Sequence, residues 1–169
     1  MNLHPWPHIL EENWYEQSLF DAMKIELKAY ALANIRHKQT VVKDFTDLPA
    51  TLTCISSRPI TEALLLQFPK YRSYKRLVPR YEVIFCVGDY SYPIHDEWPD
   101  KVLSAVTYIF PEQATGTLLY NEDKSYHSTA TWKPNSTLIF PGLTGKTWHN
   151  YSSSEGSIRI TQNTFLIAE

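Results

Sequence analysis

Tyr81-Glu82-Val83-Ile84-Phe85-Cys86-Val87 opens the part of the chain that decides the fold. From Val78 onward the segments are short, rich in β-branched and aromatic residues, and broken by turn residues, a pattern of strands. Outward from this stretch, strands are expected at 81–87, 92–97, 102–110, 116–120, 127–132, 136–140, 147–151 and 157–167. Eight strands in about ninety residues are what a double-sheet jelly roll or a small barrel requires. Towards the N-terminus the period changes. Trp14, Leu19, Met23, Leu27, Tyr30 and Ala31 recur at helical spacing and predict a helix over 10–35. Thr61-Glu62 opens a second, short helix over 60–68, which Pro69 closes. Residues 40–45 suit either an extra strand or the base of a lid. The expectation is an α+β fold over 1–169 as one domain. N-terminal supporting helices (about 1–70) precede a double-stranded β-helix, or jelly-roll, core (about 78–167).

The chain has 169 residues and 43% hydrophobic side chains, enough for one real core and too much for disorder. Its net charge of −2, with cations spread along the chain, argues against a dedicated nucleic-acid binder. Cys54 and Cys86 stand far apart, outside any CxxC pattern, and are read as buried fillers in a reducing, cytoplasmic setting. No stretch reaches the roughly 20 apolar residues that span a bilayer, and the N-terminus lacks the charge and apolar run of a secretory signal.

Chemistry concentrates in Tyr92-Pro93-Ile94-His95-Asp96-Glu97-Trp98. On a strand, residues two apart share a face, so His95 and Glu97 point together and Asp96 points away. An imidazole beside a carboxylate is the larger part of a metal site. The third ligand must come from a distant strand, and His149, 54 residues later, is the best placed of the other histidines. Two His and one carboxylate leave coordination positions open, the facial triad of non-haem Fe(II) oxygenases. In Ser157-Ile158-Arg159-Ile160-Thr161, alternation puts a guanidinium and a hydroxyl on one face and two isoleucines on the other. A planar fork of this kind grips a carboxylate at two points, and a buried arginine without such a partner is costly.

These residues, in this order, resemble the 2-oxoglutarate/Fe(II) dioxygenase superfamily, most of all its prolyl-4-hydroxylase-like branch with compact bacterial and phage members. The resemblance covers about residues 81–167. It rests on His95-Asp96-Glu97, His149 and Arg159-Ile160-Thr161, with supporting flanks at Val87-Gly88-Asp89-Tyr90, Gly116-Thr117-Leu118-Leu119-Tyr120 and Trp132-Lys133-Pro134-Asn135. It implies Fe(II) held by His95, Glu97 and His149, with 2-oxoglutarate as cosubstrate gripped by Arg159 and Thr161. It also implies O₂ as oxidant, and hydroxylation of a substrate with release of succinate and CO₂. It suggests Tyr108 as a donor to the distal carboxylate of 2-oxoglutarate; a packed strand aromatic is the alternative role. The sequence departs from the family in one respect. The usual carboxylate is Asp, whereas the position two after His95 is Glu97, one methylene longer; a local bulge would bring Asp96 instead.

Two other readings compete. A cupin-type metal protein offers His-x-His in its first motif, which His95-Asp96-Glu97 does not supply. A non-catalytic jelly-roll binding module would bind no iron. The substrate is open, a protein or peptide side chain or a small molecule, and its selection is expected in loops at 40–60, 70–80 and 120–127. His127 is read as a solvated loop residue, and His4, His8 and His37 as structural or exposed. The basic-aromatic run from Lys70 to Tyr81 is read as a solvated loop or a surface for an acidic partner.

Overall fold

A computed structural model describes residues 1–154 and 156–169. In chain order the elements are β1 (Ile9–Glu12), α1 (Gln17–Asn34), β2 (Gln39–Val42), α2 (Pro49–Ser56) and α3 (Ile60–Gln67), followed by a 3₁₀ turn at Pro69–Ser73. Then come β3 (Leu77–Val87), β4 (Tyr90–Ser91), β5 (Lys101–Phe110), β6 (Leu118–Tyr120) and β7 (Tyr126–Thr129). The last are β8 (Ser136–Pro141), β9 (His149–Asn150), β10 (Ser152–Ser153) and β11 (Ile158–Ala168). All three α-helices lie in the first 67 residues, with β1 and β2 among them, and the rest is mainly strands, an α+β arrangement.

The main sheet has six strands in the order β1-β8-β5-β11-β3-β2, every pairing antiparallel. Its axis is β11, which pairs with β3 from Ile158↔Val87 to Ala168↔Leu77 and with β5 on its other edge. Two small sheets, β7-β6-β9 and β10-β4, complete the strands.

Helices cover one face of the main sheet. The stripe Phe20, Met23, Leu27 and Ala31 of α1 is buried, a spacing of three to four residues that keeps one helical face inward. Glu16 caps α1 by accepting from the Ser18 and Leu19 amides. Glu26, on the same helix, accepts from the Ala50 and Thr51 amides at 2.9 and 2.7 Å, so α1 supplies the N-terminal cap that α2 lacks of its own. Against these helices lie Val83 and Phe85 of β3, Leu103, Ala105 and Ile109 of β5, and Ile160 and Leu166 of β11. A second cluster, Trp6, Tyr108, Leu119, Ala130, Trp132, Leu138 and Phe140, joins the opposite face of the sheet to β6 and its neighbours.

The strand expected at 127–132 ends at Thr129 and that at 147–151 shrinks to His149–Asn150, and the larger failures are three. The helix expected over 10–35 begins only at Gln17, because Ile9–Glu12 pairs with β8 as an edge strand and Asn13, at φ 52°, breaks the chain direction before the Glu16 cap. The strand expected at 92–97 is not continuous. β4 ends at Ser91, and His95 makes a lone bridge to His149. Helix α2 was not anticipated, its apolar spacing being short and its start set by Pro49. The 40–45 segment contributes the edge strand β2. Among the described residues, no helix is long and apolar enough to cross a membrane.

Candidate metal centre

Between the main sheet and the small ones lies a cavity of about 180 Å³, lined among others by His95, Glu97, His149, Arg159 and Thr161. Each reaches it for a local reason. Arg159, Thr161, Asn163 and Phe165 alternate along β11 with Ile160 and Leu166, which face the helices, so the period of two divides a hydrocarbon face from a cavity face. His95 and His149 are brought side by side by a pair of backbone bonds, His95 N to His149 O at 3.0 Å and His149 N to His95 O at 2.8 Å. Their ring centroids are 4.2 Å apart. Glu97 is 5% exposed, and its Oε1 stands 4.0 Å from His149 Nε2. Asp96, the alternative carboxylate, turns away and accepts from the Gly145 amide at 2.6 Å.

Both imidazoles are oriented in the same way. His95 Nδ1 lies 3.0 Å from the Pro93 carbonyl and His149 Nδ1 lies 2.7 Å from the Thr147 carbonyl. A carbonyl can only accept, so each Nδ1 carries the proton and each Nε2 keeps its lone pair, the arrangement that metal-bound histidines share. Edge contacts from Phe140, 5.0 Å from the His149 ring, and from Tyr92, 4.6 Å from the His95 ring, fix the planes further. Burial pushes His149 down to about 4, against the pull of the Glu97 charge, and burial also lowers His95. Burial works to raise Glu97, yet the facing His149 and Lys101 leave it below its ordinary value. At neutral pH the set is two neutral imidazoles and one carboxylate, the protonation state that metal binding requires. The donor chemistry therefore fits a divalent metal. Among the described residues, however, no group of three His, Cys, Asp or Glu side chains is arranged to hold an ion as it stands. Glu97 Oε2 is engaged by Lys101 Nζ at 2.9 Å.

Arg159 is 2% exposed, and its Nε and Nη2 donors have no hydrogen-bond partner among the described residues. Its guanidinium lies 5.0 Å from the Trp132 ring and 4.8 Å from that of Tyr151. Aromatic faces stabilise the cation but accept no directed hydrogen bond, so the fork is held ready for an anion. Tyr108 is fully buried across the strand pair from Thr161; its hydroxyl donates to Thr117 Oγ1 at 3.0 Å and its ring stacks on Trp132 at 4.6 Å. Thr117 itself lines the cavity.

Three groups were given no site role from the sequence: Trp132 and Tyr151, which flank Arg159, and Lys101. Only Lys101 carried a local signal, standing four residues after Glu97 across the Pro99-Asp100 turn. The loops expected to select substrate differ in what they give the cavity wall. The cavity takes Val41 from 40–60 and nothing from 70–80 or 120–127. His127 is exposed and, with His4 and His8, borders a separate cleft. Both cysteines are buried, as expected.

No protein-family profile matches this sequence, and no curated protein matches it either. Solved structures do. A prolyl-4-hydroxylase from Pseudomonas putida superposes with a TM-score of 0.65 at 14% identity, covering 96% of this chain and 92% of its own. A Trichoplax adhaerens prolyl hydroxylase, solved with a hypoxia inducible factor peptide, gives 0.72 at 12% identity over 95% and 83%. The viral collagen prolyl hydroxylase of Paramecium Bursaria Chlorella virus-1, solved as its 2-oxoglutarate complex, gives 0.64 at 15% identity over 96% of both chains. The chain thus has the fold of these prolyl hydroxylases, the group that its motifs resemble.

Proposed function

We propose that residues 1–169 form one 2-oxoglutarate-dependent Fe(II) dioxygenase domain, a hydroxylase, whose sheets make the double-stranded β-helix, or jelly roll, of that class. The observation that carries this reading is one cavity shared by two imidazoles with free Nε2 atoms, a buried carboxylate and a buried guanidinium with two donors unpartnered among the described residues. His95, Glu97 and His149 would hold the iron. Arg159, with Thr161 beside it, would take the far carboxylate of 2-oxoglutarate, and Tyr108 would support that end through Thr117. Iron and 2-oxoglutarate together supply O₂ activation, converting a substrate C–H to C–OH with release of succinate and CO₂.

The protein's own work is positional. The Pro93 and Thr147 carbonyls keep both Nδ1 protons in place, so neither imidazole can turn its lone pair away from the cavity. Trp132 and Tyr151 hold the guanidinium in a site dry enough to strengthen its hydrogen bonds to an anion. Trp98, 75% exposed at the cavity edge, offers a flat apolar surface to an arriving substrate. A protein or peptide side chain is the substrate class we favour, by analogy with the Trichoplax enzyme and its peptide.

One observation favours a second reading, a binding module without metal: Glu97 already has a cationic partner in Lys101. Anaerobic equilibrium dialysis separates the two. A stoichiometric load of Fe(II), with 2-oxoglutarate binding only to the loaded protein, is expected of the oxygenase. Protein that retains no Fe(II) leaves the binding module.

A further inference from the structure

Glu97 departs from the shorter aspartate of the family motif, and the structure gives that extra methylene a companion. Residues 98–101 turn back on themselves, closed by Lys101 N donating to Trp98 O at 2.9 Å. The end of β8 presses on this turn so closely that a Cβ on Gly142 would stand 1.9 Å from Lys101 O and 3.3 Å from Glu97 Cβ. The turn is therefore fixed in place, and it delivers the Lys101 ammonium to a defined point. Nζ lies 2.9 Å from Glu97 Oε2 and 3.6 Å from the centroid of the Phe165 ring. The glutamate side chain is 4% exposed and the lysine side chain 22% exposed. Shielding of this kind makes the contact stronger than a surface ion pair.

We propose that Lys101 is a positioning residue, which occupies one oxygen of Glu97 so that only the other is offered to the metal. The inference rests on the reading of Glu97 as a ligand. A glutamate has one more rotatable bond than aspartate, and a free carboxylate can bind a cation through one oxygen or both. A triad that leaves positions for a chelating keto acid and for O₂ needs a carboxylate that takes one position. A two-oxygen glutamate would occupy a place that 2-oxoglutarate needs. Lys101 Nζ on Oε2 prevents this, and Oε1 is the atom left on the His149 side.

The test compares Lys101→Met and Lys101→Arg with the wild type, using Co(II) in place of Fe(II) and reading both dissociation constants and the cobalt visible spectrum. Lys101→Met is expected to bind Co(II) no more weakly than the wild type while its 2-oxoglutarate Kd rises about 10-fold or more. Adding 2-oxoglutarate should then change its cobalt spectrum little. Lys101→Arg, which keeps a cationic donor on Glu97, should recover most of the cosubstrate affinity. Should the Met variant fail to fold, Lys101→Gln, which retains an uncharged donor, is expected to fall between the other two. Unchanged 2-oxoglutarate affinity in Lys101→Met would overturn the proposal, as would joint loss of Co(II) and 2-oxoglutarate that Arg does not rescue. Wild-type protein that binds no Co(II) would overturn the oxygenase reading itself, and the role of Lys101 with it.

Discussion

The two faces of the six-stranded sheet are made from the same strands and are built to opposite rules. On the helix side, Phe85, Leu103, Ala105, Ile109, Ile160 and Leu166 are buried hydrocarbon packed on α1 and its neighbours. On the cavity side, the alternate residues of the same strands include Arg159 and Asn163. These two carry three of the six buried side-chain polar atoms without a partner among the described residues. Unpartnered buried polar groups destabilise a fold and concentrate where a ligand completes them. One face therefore packs hydrocarbon on the helices, and the other sets unsatisfied polar groups in register beside a second apolar cluster.

Substitutions can break this contrast or sharpen it. The largest effect is expected on the helix face. Phe85→Ala removes a fully buried ring beside Tyr30 and should cost about 3–5 kcal/mol in denaturant unfolding. A smaller loss of stability there would mean the helices contribute less than their burial implies. On the cavity face the sign reverses. Arg159→Met, which replaces a buried unpaired cation with an apolar chain, should leave Tm unchanged or raise it while 2-oxoglutarate affinity falls about 100-fold. A large drop in Tm would show that Arg159 is structural. Tyr108→Phe is expected to be milder, raising the 2-oxoglutarate Kd by about threefold to tenfold, because the lost hydroxyl acts through Thr117. The smallest response is that of the cysteines. Burial pushes the Cys54 thiol up to about 12 and Cys86 up to about 11, so at pH 8 both remain protonated as well as enclosed. Iodoacetamide at that pH should label neither in the native protein and both in denaturant; native labelling of Cys86 would mean that the cavity face opens.

Much of this was legible in the sequence where a local period carries the information. Alternation around Arg159 and Thr161 divided β11 correctly into two faces. The spacing of His95, Glu97 and His149 named three residues that line one cavity. Legibility failed where distant chain decides local structure. Ile9–Glu12 has the apolar content of a helix start and is a strand because β8 offers it an edge. The 92–97 segment is not a ladder strand, yet His95 and Glu97 still share a side, because the His95–His149 bridge orients the segment. The aromatic residues around Arg159 come from separate parts of the chain, and no short pattern links Trp132 to Tyr151.

The most direct test of the central claim is the visible spectrum of the anaerobic protein with Fe(II) and 2-oxoglutarate. Chelation of iron by a keto acid at an open facial site should produce a weak charge-transfer band, absent in His149→Ala and weakened in Arg159→Ala. Iron that binds without any such band on adding 2-oxoglutarate would contradict the account, and so would a band that persists in His149→Ala.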